Sequence, residues 1–269
     1  MERPTVQDTA TVHPVDSDAP SAVHKALRLL DAFDASTPEL SIRELARRAG
    51  IARSTAHRLV AELTAWGALE RTTGGVRLGV KLFELGSLAS TSVTLRDAAL
   101  PYAHHLHEVT KLTVNVAIRS GTDIVYVEKI TSRSLRVPHS RQGGRGALHA
   151  TALGKAILAF SDQDVVSETL ATPLAAITPF TIIDPAALRA ELALVRERRV
   201  AYDVEESRAG LFCVAAPILD PRGRALGAIS VTGATQLDQA ERFASAVSTT
   251  ALAVAGGLRP SRERGLRSA

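Results

Sequence analysis

A chain of 269 residues, 45% of them hydrophobic, has room for one large domain or two ordinary ones with real cores. A formal net charge of +4 and a pI of about 9.6 set a mild basic bias, while 4% aromatics argues against a surface built on base stacking. The single cysteine, Cys213, excludes a disulfide framework and a cysteine-rich metal site, and no run approaches the roughly 18 apolar residues of a membrane span.

Residues 1–20 are polar, with Pro4, Pro14 and Pro20 and acids at Asp8, Asp16 and Asp18, and are expected to form a disordered tail rather than a signal peptide. Val23, Ala26, Leu27, Leu30 and Phe33 share one face of a helix over about Ser21–Ala35, which Thr37-Pro38 ends. Ser41-Ile-Arg-Glu44 has the spacing of a capping box, in which the serine caps a free N–H and the glutamate reaches back. It opens a helix over about Ile42–Ala49, stopped by Gly50. A third helix runs from Arg53 or Ser54 to Trp66, with Ala56, Leu59, Val60 and Leu63 inward. Leu69–Leu78 then forms a hairpin around Gly74-Gly75. Residues 21–79 are therefore expected to form one domain, and 80–94 a linker helix.

Over residues 95–258 a second domain is expected. Its elements are a helix over about Leu95–Thr110, strands Thr113–Ile118 and Asp123–Ile130, and a possible strand at Leu135–Pro138. A Gly143–Gly146 loop then feeds a helix over Thr151–Phe160. Helices over Asp162–Ala171 and Pro185–Arg199, a strand pair at Phe212–Leu219 and Ala225–Val231, and a closing helix over Asp238–Leu258 complete it. The fold class is α+β: a winged helix-turn-helix followed by a mixed α/β domain with a mostly antiparallel sheet. Residues 259–269 are a basic tail, expected to be solvated.

Two short helices joined at Gly50, followed by a hairpin, have the form of a winged DNA-binding unit. The start of the second helix carries Arg53, Ser54, Thr55, His57 and Arg58. Arginine pairs naturally with guanine O6 and N7, and hydroxyls suit several base edges and phosphate. Arg43, with Arg47 and Arg48, lies on the preceding helix within reach of backbone phosphate, and Arg71 and Arg77 flank the wing. The expected partner is a duplex operator.

The second domain carries no nucleophile, base and orienter together, so no enzyme activity is expected. His149–Ala156 departs from a phosphate-binding loop at both ends, where His149 and Ala156 replace its first glycine and final hydroxyl. Features suited to binding remain. Thr151-Ala-Leu-Gly154 opens a helix whose free N–H groups suit a carboxylate. Ser230 and Thr232 face one side of their strand, Asp203 offers an acceptor or a turn cap, and Cys213 looks toward the same space. Leu135 and Leu148 are candidate apolar walls, whereas Arg141 and Arg145 are expected on a solvated loop. An enzyme or a protein-docking module with an appended helix-turn-helix stays open as the alternative.

Several stretches, in order, resemble the IclR-type transcriptional regulators. They are Ala26–Phe33, Leu40–Ala46, Ser54–Leu59, Arg77–Gly79 with Leu85-Gly86, Leu148–Ala159, Tyr202–Glu206 and Gly210–Pro217. The likeness covers about Val23 to Gly256. It implies a winged helix-turn-helix, a linker helix and a GAF-like effector domain, dimers that commonly pair into tetramers, and a small organic acid or related metabolite as ligand. It points to Ala152, Leu153, Asp203, Cys213, Ser230 and Thr232 as ligand-facing positions. The sign of control does not carry over. A cytoplasmic location without membrane partner, metal or cofactor is expected.

Overall fold

A computed structural model describes residues 21–34, 36–132, 140–234 and 240–258, with the backbone alone for 90–93. The chain divides into two units, the first ending at Leu88 and the second beginning at Ala89. The expected strand at Leu135–Pro138 lies outside the described residues.

In the first unit, α1 (Ala22–Asp31) starts where Ser21 accepts the His24 N–H. It stops four residues before the expected Ala35, because the Asp34 side chain turns the chain by accepting the N–H groups of Ser36 and Thr37. Helix α2 (Ile42–Ala49) begins at Ser41, whose hydroxyl accepts the Glu44 N–H at 3.2 Å, and ends on Gly50 at φ +61°. Half of the expected capping box is absent: Glu44 does not reach back but binds Arg47 and Arg48. After α3 (Arg53–Trp66) come β2 (Leu69–Arg71) and β3 (Val76–Leu78). A two-residue β1 (Glu39–Leu40), too short for any alternation to show, joins the other edge of β3. Leu29, Leu45, Leu59, Val60, Leu69 and Val76 form the core under these elements. Helix α4 (Val80–Gly86) follows and buries no residue.

Helix α5 (Ser90–Thr110) opens the second unit, starting within the stretch expected to be linker. The strands are β4 (Thr113–Ser120), β5 (Asp123–Ile130), β6 (Arg145–Ala147), β7 (Ala201–Val204), β8 (Leu211–Leu219) and β9 (Ala225–Ala234). They make a six-stranded sheet in the order β6-β5-β4-β9-β8-β7, with every pair antiparallel. β6 corrects the expectation of a plain Gly-rich loop, and β7 is an element that its four residues did not announce. Alternation sorts the side chains between two layers. Val114, Val116, Val214, Ile229 and Val231 pack under α5 and α9 (Ala244–Gly257). Ala117, Ala201, Ala215 and Ala228 face α6 (Ala152–Ala159), α7 (Gln163–Ala171) and α8 (Pro185–Arg198). The small residues on this face let α6 lie close. Gly154 is needed there, since a Cβ would stand 2.1 Å from the Leu148 carbonyl oxygen.

Candidate functional site

Two places in the molecule concentrate chemistry. The first is the start of α3. Ala56, Leu59 and Val60 are buried, which turns Arg53, Ser54, His57 and Arg58 to solvent and leaves Thr55 half-buried. No side chain caps this helix, so its leading N–H groups stay available. Arg43 on α2 and Arg71 on β2 are exposed as well. Two of the expected arginines are already partnered: Arg58 holds Glu62 at 2.9 Å, and Arg77 holds Glu70 at 2.8 Å. Both pairs are exposed, and exchange with another anion costs little there. Arg48 departs from the expected phosphate role. Its guanidinium binds the Ala32 carbonyl, Asp34 and Thr37 and so ties α2 to the turn after α1.

The second place is a cavity of about 720 Å³ in the second unit. The sheet register builds its floor. Asn115 of β4 sits opposite Ser230 of β9, and Thr232 of β9 opposite Cys213 of β8, which in turn faces Asp203 of β7. Paired residues point the same way, so these five side chains share the face toward α6. Thr151, Ala152 and Leu153 at the start of α6 form one wall. The Thr151 hydroxyl caps the Gly154 N–H at 3.0 Å, and by helix geometry the N–H groups of Ala152 and Leu153 have no partner within the helix. A strap, Ile177-Thr178-Pro179, closes another side, held where the Thr178 and Thr181 hydroxyls donate to the carbonyls of Glu205 and Glu206. Ser140, Tyr126, Ser207, Arg208 and Leu211 add to the lining. Among the described residues, Asn115 Oδ1, Ser140 Oγ and Ser230 Oγ are buried without a hydrogen-bond partner.

Behind the cavity floor lies a buried charged cluster. Lys155 of α6, 1% exposed, donates to Glu206 Oε1 and stands 3.9 Å from Glu191 of α8, which holds Arg198 at 2.6 Å. Burial pushes the Glu206 carboxyl up to about 7, against the pull of Lys155. Burial also raises Asp203, although Ser207 and the N–H groups of Glu206 and Ser207 bond to it. Asp203 thus caps the β7–β8 turn and lines the cavity at once. Burial, with Asp203 beside it, pushes the Cys213 thiol far up, and its sulfur lies 3.1 Å from Thr232 Oγ1. A thiol raised in this way is a poor nucleophile. The His149 ring is engaged elsewhere, at the Ala175 carbonyl.

Known proteins carry the same two parts. Residues 22–73 match the IclR helix-turn-helix domain, and residues 88–255 match the C-terminal domain of bacterial IclR transcriptional regulators. The chain belongs to the IclR family. The IclR-family regulator XynR of Escherichia coli is 33% identical over 82% of this chain and 89% of its own length. BhcR of Paracoccus denitrificans is 34% identical over 94% of this chain and 92% of its own. An IclR homolog from Microbacterium hydrocarbonoxydans, solved in complex with 4-hydroxybenzoate, superposes with a TM-score of 0.82 at 28% identity, covering 89% of this chain and 99% of that one. The chain is thus a transcriptional regulator with a helix-turn-helix DNA-binding domain and a C-terminal effector-binding domain.

Within this IclR-family chain, Ala152, Leu153, Asp203, Cys213, Ser230 and Thr232 all line one cavity. Leu148 does not. It is fully buried under α6, where its backbone rather than its side chain meets Gly154. Leu135 lies outside the described residues. Arg145 reaches the cavity rim from β6, yet its guanidinium is taken by Asp123 at 3.0 Å and by Ser120. Sequence reasoning missed Asn115, Tyr126, Ser140 and Thr178. Asn115 did carry a signal, as the one amide in the apolar run Thr113–Ile118.

Proposed function

We propose that this regulator reads a pseudo-palindromic operator as a dimer and is switched by a small carboxylic acid held in the second unit. Arg53, Ser54, Thr55, His57 and Arg58 present the base-reading edge of α3, with Arg43 on α2 and Arg71 and Arg77 on the wing placed for phosphate. Exposed apolar residues on α1 (Val23, Leu27) and α4 (Val80, Phe83) are suited to cover by a second copy, and pairing of dimers into tetramers follows the family. The acid's carboxylate docks on the leading N–H groups of α6. The ligand shifts operator affinity by its differential affinity for two arrangements of the dimer, a coupling of about 1–3 kcal/mol. No turnover of the ligand is part of this reading, and the site of action is the cytoplasm.

The carrying observation is the cavity itself: a mostly apolar cleft with a few buried polar side chains on its floor, built on the same unit as a helix start able to bind an anion. Titration of the promoter fragment beside the protein's own gene at several salt concentrations tests the DNA half. Affinity should fall steeply with salt, and Arg53→Ala with Arg58→Ala should weaken binding and lower the salt slope by up to about 2. Salt-independent binding, or unchanged binding by the double variant, defeats the assignment.

A further inference from the structure

Behind the cavity floor, buried negative charge outnumbers positive. Glu191 stands 3.9 Å from Lys155 but is matched by Arg198 at 2.6 Å, which leaves Lys155 to face two carboxylates, Asp203 and Glu206. These three groups are at most 8% exposed. Asp203 is well supplied with donors: it accepts the N–H groups of Glu206 and Ser207 and the Ser207 hydroxyl. Glu206 is not. Lys155 donates to its Oε1, while Oε2 is buried and no described residue donates to it. A buried carboxylate oxygen without a donor favours the neutral acid, so the proton that this pair takes up settles on Glu206. The set is then neutral, with one ammonium, one carboxylate and one carboxylic acid. Asp203 joins it to the ligand's space, since it lines the cavity while holding the Glu206 N–H.

We propose that this pair makes effector binding proton-linked: an anion entering the cavity drives a proton onto Glu206, and the site holds acids more tightly as pH falls. The proposal rests on the reading of the cavity as a carboxylate-binding effector site. Its cause is electrostatic. With Asp203 and Glu206 both ionised, the buried set carries one net negative charge, and a ligand carboxylate adds a second where water screens poorly. Protonation removes the first. Burial already brings the Glu206 carboxyl up to about 7, so the exchange falls in the neutral range. Burial raises the Cys213 thiol and the Tyr126 hydroxyl away from that range. Arg145 and the exposed Arg208, which line the cavity, keep their charge throughout. His149, bonded to the Ala175 carbonyl, and Glu205, next to Glu206 in the chain, are the remaining neighbours that variants must separate.

Titration calorimetry of the full chain with benzoate, hexanoate and 4-hydroxybenzoate, in buffers of different ionisation enthalpy, counts the protons taken up. An acid that binds should bring roughly 0.5 to 0.9 proton with it at pH 8, and its dissociation constant should rise about two- to fivefold from pH 7 to pH 8. Glu206→Gln keeps the shape and lets Lys155 answer Asp203 alone. It should bind the same acid without uptake and with a flat pH profile. If that variant does not fold, His149→Asn takes its place and should keep the full uptake. Uptake that persists in Glu206→Gln, or vanishes in His149→Asn, would put the proton elsewhere. That result, or an acid that binds the unsubstituted chain with no uptake, overturns the linkage and leaves the carboxylate site standing. No binding by any of the three acids would overturn both the carboxylate reading and the linkage built on it.

Discussion

The surface of the first unit and the cavity of the second place their carboxylates in opposite ways. In the helix-turn-helix unit Asp34, Glu44 and Glu70 are exposed or half-buried and held by arginines. Ser36 with Arg48 keeps Asp34 well below the usual carboxylate range, Arg47 and Arg48 bring Glu44 down to about 2, and Arg77 lowers Glu70. In the second unit Asp220 is likewise lowered at the surface by Arg224, but the carboxylates beside the cavity, Asp203 and Glu206, are buried and pushed up instead. The contrast follows the task. A surface that meets a polyanion keeps its charges in water, where pairs exchange cheaply. A cavity that recognises a small molecule keeps polar groups out of water, where each unmet hydrogen bond is costly and therefore selective.

The sharpest way to break this comparison is to remove the buried cation. Lys155→Met takes away the partner of Glu206 and strands Asp203 and Glu206 together. It should destabilise the effector-side unit by about 3 kcal/mol or more, as breaking one side of a buried pair does. Removing an arginine from the exposed Arg58–Glu62 pair should cost at most about 1 kcal/mol. Urea unfolding of both variants, followed by far-UV circular dichroism, checks this. Equal losses would erase the distinction.

Acidity comes next in size. Glu206 has a raised folded pKa, so between about 4.5 and 7 the folded state holds more protons than the unfolded state. The stability of the effector-side unit is then highest at the acid end of that window and declines as pH rises through about 7, by at most about 1.4 kcal/mol per pH unit for one group. Asp203 acts in the same direction, while Asp220, lowered at the surface by Arg224, opposes them in the acid range. Glu44, Asp34 and Glu70 have lowered values, so the stability they contribute is present above their unfolded pKa and is lost as pH falls through the acid range. The single tryptophan, Trp66, lies on α3, while the three tyrosines, Tyr102, Tyr126 and Tyr202, all lie in the second unit. Melting from pH 8 down to pH 3, followed at both chromophores, separates the two trends. Parallel pH profiles at Trp66 and at the tyrosines would contradict them.

The same contrast explains what the sequence disclosed. The first unit is built from local rules: Ser41 and Gly50 bound α2, Gly67 ends α3, and the exposed face of α3 is written in consecutive turns. The exposure of its proposed reading residues was legible because they lie within six positions of one another. The cavity draws on β4, β7, β8, β9, α6 and a strap, with Asn115 and Ser230 meeting only through strand register. Alternation located Ser230 and Thr232 on one face, yet nothing local said that Asn115 stands opposite. Leu148 shows the same gap from the other side: expected as an apolar wall, it is buried under α6, where the close approach at Gly154 takes its backbone, not its side chain, to the contact. Where the fate of a side chain depends on tertiary competition, as when Glu44 finds two arginines instead of the helix start, motif spacing alone did not decide it.

A smaller effect sharpens the comparison at matched chemistry, because each unit has a helix begun by a hydroxyl. Ser41 is exposed and accepts the Glu44 N–H, while Thr151 is 7% exposed and accepts the Gly154 N–H, with its own proton given to the Ala147 carbonyl. Ser41→Ala loses one cap at a site where water can take over, and should cost about 1 kcal/mol without altering ligand affinity. Thr151→Val keeps the shape but strands the Gly154 N–H in a buried place and leaves the Ala147 carbonyl with the backbone N–H of residue 151 alone, so its cost should exceed that of Ser41→Ala, toward about 2 kcal/mol. It also strips the helix start of the group that orients it, and should therefore weaken carboxylate binding as well. Chemical denaturation and acid titration on the two variants provide the check. If Thr151→Val proved as mild as Ser41→Ala and left acid binding intact, the start of α6 would be an ordinary helix end and not part of the effector site.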